Sequence, residues 1–131
     1  MATERFPFDF QAPYDRLLSV VGFRDERCEV VLDDDELHAR FGRFEVATPW
    51  SNVRDASVTG PFRAFRVIGP HLSLADRGVT FGTNARAGTC IRFHEPVAGL
   101  FGRSRRVHPG LTVTVHAPAE LAAAVQRRIA S

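Results

Sequence analysis

The chain has 131 residues, of which 44% are hydrophobic and 24% charged, and its formal net charge is +2. These proportions are ordinary for a globular protein and exclude a largely disordered chain. The small positive charge falls well short of what a dedicated nucleic-acid-binding domain carries, so we expect no nucleic-acid partner.

The first 27 residues are predicted to form an arm and a short helix. Three phenylalanines alternate along residues 6–10 around Pro7, which indicates an extended arm or an edge strand. A short amphipathic helix is predicted next, between Pro13 and Gly22. Its apolar residues, at i, i+3, i+4 and i+7, are Tyr14, Leu17, Leu18 and Val21.

Residues 28–116 are predicted to form an antiparallel β-structure of seven or eight strands. From Cys28 the hydrophobic period changes to two, which is typical of half-buried strands. Tight turns at residues 33–35 and at Gly42 join the first three strands into a meander. Residues 62–69 fit either period, and residues 97–110 are predicted to form a loop. Strands are predicted at residues 28–32, 37–41, 44–46, 53–59, 72–74, 79–81, 89–93 and 111–115.

Residues 117–130 are predicted to form a terminal helix. Leu121, Val125 and Ile129 line one face at i, i+4 and i+8. Glu120 lies near its start, and two arginines lie near its end, where they favourably oppose the helix dipole. We find no internal repeat, linker or low-complexity stretch, so we predict a single domain over residues 1–131.

Two segments resemble bacterial pleckstrin-homology-like (PH-like) domains. One runs from Val30 to Val53: a strand, an acidic turn, a second strand, a glycine turn, a third strand and the sequence Thr-Pro-Trp-Ser-Asn-Val. The other is the segment from Leu111 to Leu121, near the C-terminus, where a strand is followed directly by a helix that begins with Pro-Ala-Glu-Leu. The resemblance implies a bent, open seven-stranded barrel capped by the C-terminal helix. It implies little about a ligand, because fold does not determine function.

The basic loop of Arg103, Arg105 and Arg106 is the sharpest local feature. If its three guanidinium groups converge, this loop is expected to bind a phosphate or an acidic partner, and a lipid headgroup or a nucleic acid would supply such a phosphate. The alternative is a solvated loop that favours solubility. Trp50 is a second candidate, either as an anchor where the sheet bends or at the rim of a pocket.

Other reactive residue types give no strong site. The acidic run at residues 33–36 lacks the alternating ligands and central glycine of a calcium loop, so we expect a solvated hairpin tip. The five histidines lack metal-ligand spacing, although adjacent strands can bring two of them together. Cys28 is expected in the core, and Cys90 faces outward without a base that the sequence places beside it. We therefore predict no metal, no cofactor and no catalytic residue.

The cysteines and the hydropathy pattern indicate a location. Cys28 and Cys90 form no CxxC pair, so both thiols are expected to be free in a reducing compartment. Residues 1–10 are interrupted by charges and a proline, unlike a signal peptide. No apolar run approaches the ~20 residues of a transmembrane helix. These features favour a cytoplasmic protein.

The sequence thus predicts a non-enzymatic binding or interaction module. Its partner is expected to be another protein or a second copy, bound through a strand edge or the N-terminal arm. The alternative is a carrier that holds a small apolar ligand between the barrel and the helix.

Overall fold

The structure is a computed structural model that describes residues 3–12, 14–61, 68–72, 77–84, 86–102 and 105–130. It confirms a mainly β protein with a C-terminal helix. Short 3₁₀ turns occupy Asp25–Arg27 and Trp50–Asn52. The strands and α-helices in the described residues are β1 (Glu4–Pro7), α1 (Tyr14–Val20), β2 (Cys28–Leu32), β3 (Glu36–Phe41), β4 (Phe44–Pro49), β5 (Val53–Thr59), β6 (Gly69–Leu72), β7 (Val79–Gly82), β8 (Gly88–Val97), β9 (His108–Val113) and α2 (Pro118–Ala130).

The first sheet is an antiparallel meander in the order β1-β2-β3-β4. Its register places Val30 opposite Ala39, and Ala39 opposite Val46, so a row of buried side chains crosses the sheet. The acidic turn between β2 and β3 is stabilised by Asp33, whose Oδ1 accepts hydrogen bonds of 2.8 Å from the amides of Asp35 and Glu36. The pattern therefore predicted the meander and its turn correctly.

The second sheet has the order β5-β8-β9-β7-β6. The prediction of wholly antiparallel pairing is wrong at one place, because β7 and β9 run parallel. The predicted loop at residues 97–110 is also too long: β8 continues through Pro96 to Val97, and β9 begins at His108. Pro96 is tolerated because it lies where the β8–β9 register is irregular, between the pairs that Arg92 and Val97 make.

The two sheets of the described residues do not close into one barrel, but three features join them. Phe8 forms an isolated bridge with Val115, which continues the N-terminal arm onto the second sheet. The carbonyl oxygen of Asp9 accepts hydrogen bonds of 2.8 Å from Thr83 Oγ1 and from Asn84 Nδ2. Contacts between β4 and β8 join the sheets elsewhere. Buried side chains from both sheets form a single hydrophobic cluster.

Helix α2 packs on β5 and β8. Leu121 and Val125 are fully buried and Ile129 is partly buried, so the predicted apolar stripe faces the core. The carbonyl oxygen of Ala56 in β5 accepts a hydrogen bond of 2.6 Å from Gln126 Nε2. At the other end of the helix, Arg128 reaches the β2–β3 turn of the first sheet. Helix α2 thereby contacts both sheets. No helix in the described part of the chain is long and apolar enough to cross a membrane.

Helix α1 differs from its prediction in which residues it buries. Only Leu18 of the predicted apolar set is buried, and Tyr14 is half-buried. Leu17 and Val21 are exposed. The helix has only seven residues and contacts the core through Tyr14 and Leu18. The predicted apolar stripe is wider than this contact, so its other residues stay exposed.

Candidate functional site

The structure separates the two described arginines of the predicted basic loop, Arg105 and Arg106. Arg103 lies outside the described residues. The guanidinium of Arg105 lies 5.3 Å from the centroid of the Phe101 ring, a cation–π distance. Arg106 instead lines a cleft between the two sheets. Arg105 and Arg106 therefore have different surroundings. Arg105 packs over the Phe101 ring, and Arg106 lines the cleft.

Trp50 lies beside this cleft and is not one of its lining residues. It is half-buried, and its indole N–H donates a hydrogen bond of 2.8 Å to the carbonyl oxygen of Asp33. The guanidinium of Arg128 lies 5.8 Å from the centroid of its ring. These contacts match an anchor that holds the end of β4 against the β2–β3 turn.

The cleft that Arg106 lines has a volume of about 680 Å³, and we call it the inter-sheet cleft. One wall is β4, which lies at the edge of its sheet. The opposite wall is the C-terminal half of β8. The lining residues are Glu45, Ala47, Thr48, Pro49, Ser51, Asn52, His94, Glu95, Pro96, Val97, Ala98 and Arg106. This volume lies within the range of small-molecule and peptide-side-chain sites.

Asn52 fixes the distance between the two walls. Its Oδ1 accepts a hydrogen bond of 2.8 Å from the amide of Glu95, and its Nδ2 donates one of 3.1 Å to the carbonyl oxygen of the same residue. The side chain thus satisfies both backbone groups of Glu95, as a paired strand would. Nδ2 also donates to Thr48 Oγ1 at 3.0 Å, which ties β8 to β4.

The cleft carries charges of both signs. Glu45 and Glu95 are acidic, whereas Arg106 is basic. His94 also lines the cleft, and Glu45 Oε2 lies 3.0 Å from Nε2 of His38 on β3. With two carboxylates and one guanidinium in its lining, the cleft disfavours a phosphate or a lipid headgroup, because the carboxylates repel an anion. The cleft suits a ligand with its own polar and apolar parts.

A buried histidine sets the position of the loop that carries Phe101. His108 is fully buried on β9. Its Nε2 accepts a hydrogen bond of 3.2 Å from the amide of Leu100, so Nδ1 is the protonated nitrogen and donates to the carbonyl oxygen of Arg77 at 2.7 Å. The Phe101 ring stacks near it, with centroids 5.9 Å apart. This role was missed in the sequence because residue 108 was placed in a loop.

The described residues contain no group of three or more His, Cys, Asp or Glu placed to hold a metal ion. His38 lies 3.0 Å from Glu45, and this pair belongs to no such group. Cys28 is buried in the core, as predicted, and Cys90 is partly exposed on β8. The neighbour of Cys90 across the sheet is Ser57 on one side and Thr112 on the other.

Comparison with protein-family models, with curated proteins and with solved structures finds no match to this chain. The inter-sheet cleft was not predictable from sequence, since Asn52 and Glu95 lie 43 positions apart and no local pattern links them.

Proposed function

We propose that the protein is a non-enzymatic binding module and that its ligand is an extended peptide segment of another protein, bound in the inter-sheet cleft. The observation that carries this proposal is the position of the cleft along β4, an edge strand. An edge strand offers backbone amides and carbonyls to a peptide in extended conformation. The mixed lining supplies pockets for its side chains.

The charges of the inter-sheet cleft restrict which side chains a bound peptide can carry. Glu45 and Glu95 favour a basic or amide side chain in the peptide, and Arg106 favours a carboxylate. A peptide carries all of these groups along one chain, whereas a lipid headgroup carries mainly negative charge. Arg106 therefore keeps its predicted role of binding an anionic group, and in this proposal the group is a carboxylate of the peptide.

The alternative, an apolar carrier that holds its ligand between the sheet and α2, has less support. No residue of α2 lines the inter-sheet cleft. Leu121 and Val125, which face the sheet, are fully buried among other core side chains. A ligand at that place would have to displace them, at a cost comparable with overpacking a core, about 1–3 kcal/mol.

We further propose that the chain is a PH-like domain. The meander of β2, β3 and β4, the second sheet and the C-terminal helix follow one another along the chain in the order that the resemblance implies. The parallel pairing of β7 with β9 and the additional strand β1 depart from that pattern. Neither departure affects β4 or the region where Trp50 lies.

The test is selection from a random peptide library displayed on phage, followed by fluorescence anisotropy with the selected peptides. The variant Ala47→Arg fills the cleft, because Ala47 is exposed on β4 and lines it. We expect this variant to weaken binding by about tenfold or more, which corresponds to ~1.4 kcal/mol. The matched control is Ala123→Arg on the exposed face of α2, which leaves binding unchanged.

Two results would contradict the proposal. One is a library that yields no peptide binding more tightly than about 1 mM, the weak end of specific recognition. The other is a set of peptides to which the wild-type protein and the Ala47→Arg variant bind equally well. Native mass spectrometry of the purified protein tests the carrier alternative, since a retained small apolar molecule would support it.

A further inference from the structure

A surface turn of the second sheet is attached through a buried histidine. Gly99 and Gly102 form an isolated bridge with Leu100 and Phe101 between them, and we call residues 99–102 the 99–102 turn. The Leu100 amide donates a hydrogen bond of 3.2 Å to Nε2 of His108 on β9. Among the hydrogen bonds of the described residues, this one alone ties the turn to another element. The attachment therefore depends on the lone pair of one ring nitrogen.

Both ring nitrogens of His108 have partners that fit the neutral form. Nδ1 donates to the carbonyl oxygen of Arg77 at 2.7 Å, and Nε2 accepts from Leu100. A proton on Nε2 turns this nitrogen into a donor, so that two N–H groups face each other. His108 is fully buried, so water cannot solvate the mismatch. Protonation therefore keeps the bond to Arg77 and breaks the bond to Leu100.

The elements packed around His108 present apolar groups to its ring. Val97 lies opposite it on β8, and the centroid of the Phe101 ring lies 5.9 Å from that of the imidazole. A Cβ atom added at Gly99 would lie 3.2 Å from the imidazole and from Val46 of β4, so the turn packs closely on both. A positive charge on this ring would have no polar surroundings to stabilise it.

The charged groups near His108 do not compensate a proton on it. Those that the structure describes are Glu45 on β4, His94 and Glu95 in the C-terminal half of β8, Arg77 before β7, and Arg105 and Arg106 before β9. The side chains from β4 and β8 line the inter-sheet cleft, and within the described part of the chain no carboxylate pairs with His108. The other three are cations, which disfavour a further positive charge nearby.

We propose that His108 is a pH-sensitive switch: uptake of a proton releases the 99–102 turn from β9 while the sheets stay folded. Leu100, which is half-buried against the core, is then exposed together with the ring of Phe101. Ala98 precedes the turn and lines the inter-sheet cleft, so the release also changes one end of that cleft. The switch does not depend on a peptide ligand, because all of its contacts lie within the chain.

Proton linkage gives the expected size of the effect. An imidazole in water takes up a proton below a pH of about 6.5. When only the released turn lets the ring reach water, the released fraction rises about tenfold for each pH unit below that value. Between about pH 7.5 and about pH 5, the fraction of molecules with a released turn should therefore increase ~30-fold.

Hydrogen exchange of the ¹⁵N-labelled full chain, followed by NMR, tests the proposal. The protection of the Leu100 amide is measured relative to an unstructured peptide at each pH, and we expect it to fall ~30-fold between about pH 7.5 and about pH 5. At every pH, Leu100 should exchange faster than Leu111, a buried residue of β9 that is paired on both sides. The reason is that release of the turn leaves the sheet intact.

The variant His108→Gln separates the imidazole from other effects of acid. The side-chain oxygen of glutamine accepts a hydrogen bond from the Leu100 amide and does not titrate, so the protection should stay within about threefold over the same range. The matched control is His116→Gln, at a histidine whose side chain is 59% exposed. This control should keep the ~30-fold fall of the wild type.

Three results would overturn the proposal. The first is a wild-type Leu100 amide whose protection is independent of pH or equal to that of Leu111. The second is a ~30-fold fall that persists in His108→Gln. The third comes from the ¹⁵N shifts of the His108 ring in the wild-type chain, which should show a protonated Nδ1 and an unprotonated Nε2 at neutral pH; the reverse tautomer contradicts the switch. The wild-type measurements stand whether or not the variant folds.

Discussion

Arg128 is a buried cation near the end of α2. Its substitution tests how much its hydrogen bonds contribute to the attachment of α2 to the first sheet. Its side chain is only 4% exposed. Nη1 donates a hydrogen bond of 2.6 Å to the carbonyl oxygen of Asp33, and Nη2 donates one of 3.2 Å to that of Leu32. Nη2 also lies 3.3 Å from Glu4 Oε1. One side chain therefore connects α2 with β1 and with the β2–β3 turn.

The variant Arg128→Ala removes two hydrogen bonds from a charged donor, each of which contributes about 1.5–3 kcal/mol. Part of this loss is offset because the variant no longer buries a guanidinium, and because Asp33 keeps the hydrogen bond from Trp50. We expect a net loss of about 3 kcal/mol in the free energy of unfolding. With ~2.1 cal/mol/K of unfolding entropy per residue, this lowers the melting temperature of a 131-residue chain by about 11 °C.

The assay is urea unfolding followed by circular dichroism and by the fluorescence of the single tryptophan, Trp50, which lies beside Arg128. The matched control is Arg127→Ala, since Arg127 is the adjacent residue, is 62% exposed and lies 3.9 Å from Glu4 Oε2. A surface pair of this kind contributes at most about 1 kcal/mol. Equal destabilisation by the two variants would refute the reasoning. Arg128→Lys should be intermediate, because an ammonium lacks the planar fork that reaches both carbonyls.

Two further predictions concern the core and the acidic turn. Leu121→Asp places an unpaired charge at a fully buried position and should lower the free energy of unfolding by more than about 4 kcal/mol. Ala123→Asp, on the exposed face of α2, should lower it by less than about 0.5 kcal/mol. Equal losses for the two variants in thermal unfolding would contradict the packing of α2. The hydrogen bonds from the amides of Glu36 and Asp35 lower the pKa of Asp33 below its usual range. The carboxylate therefore stabilises the fold above the unfolded-state pKa of about 3.9, and this contribution is lost as the pH falls through the lower folded-state pKa. Asp33→Asn should be less stable than the wild type at neutral pH and equally stable in strong acid; a difference that is independent of pH would contradict this cause.

Local patterns predicted much of the fold. The period of two in β2 and β3, with the turn residues between them, led to a meander whose buried face matches the structure. The i, i+4, i+8 spacing in α2 identified its buried face. These predictions succeeded because each depends on residues close in the chain, and each element buries one continuous face.

The pairing of distant strands was decided by the tertiary structure. β7 and β9 pair in parallel although β8 separates them in the chain, and no pattern within either strand records its direction. The inter-sheet cleft depends on Asn52 meeting Glu95 across two sheets. Such contacts arise from how the elements pack, so periodicity in one segment does not reveal them.

The sequence by itself determined which residues are apolar and which face of most elements they share. It did not determine what covers each face. In α2 the apolar stripe meets the second sheet and is buried, whereas in α1 the same kind of stripe leaves Leu17 and Val21 exposed. Arg128 is the opposite case. The sequence predicted only that this charged residue opposes the helix dipole, but in the structure it is buried and donates hydrogen bonds to backbone carbonyls of the first sheet. Burial depends on the surface brought opposite a side chain, and only the packing of the whole chain supplies that surface.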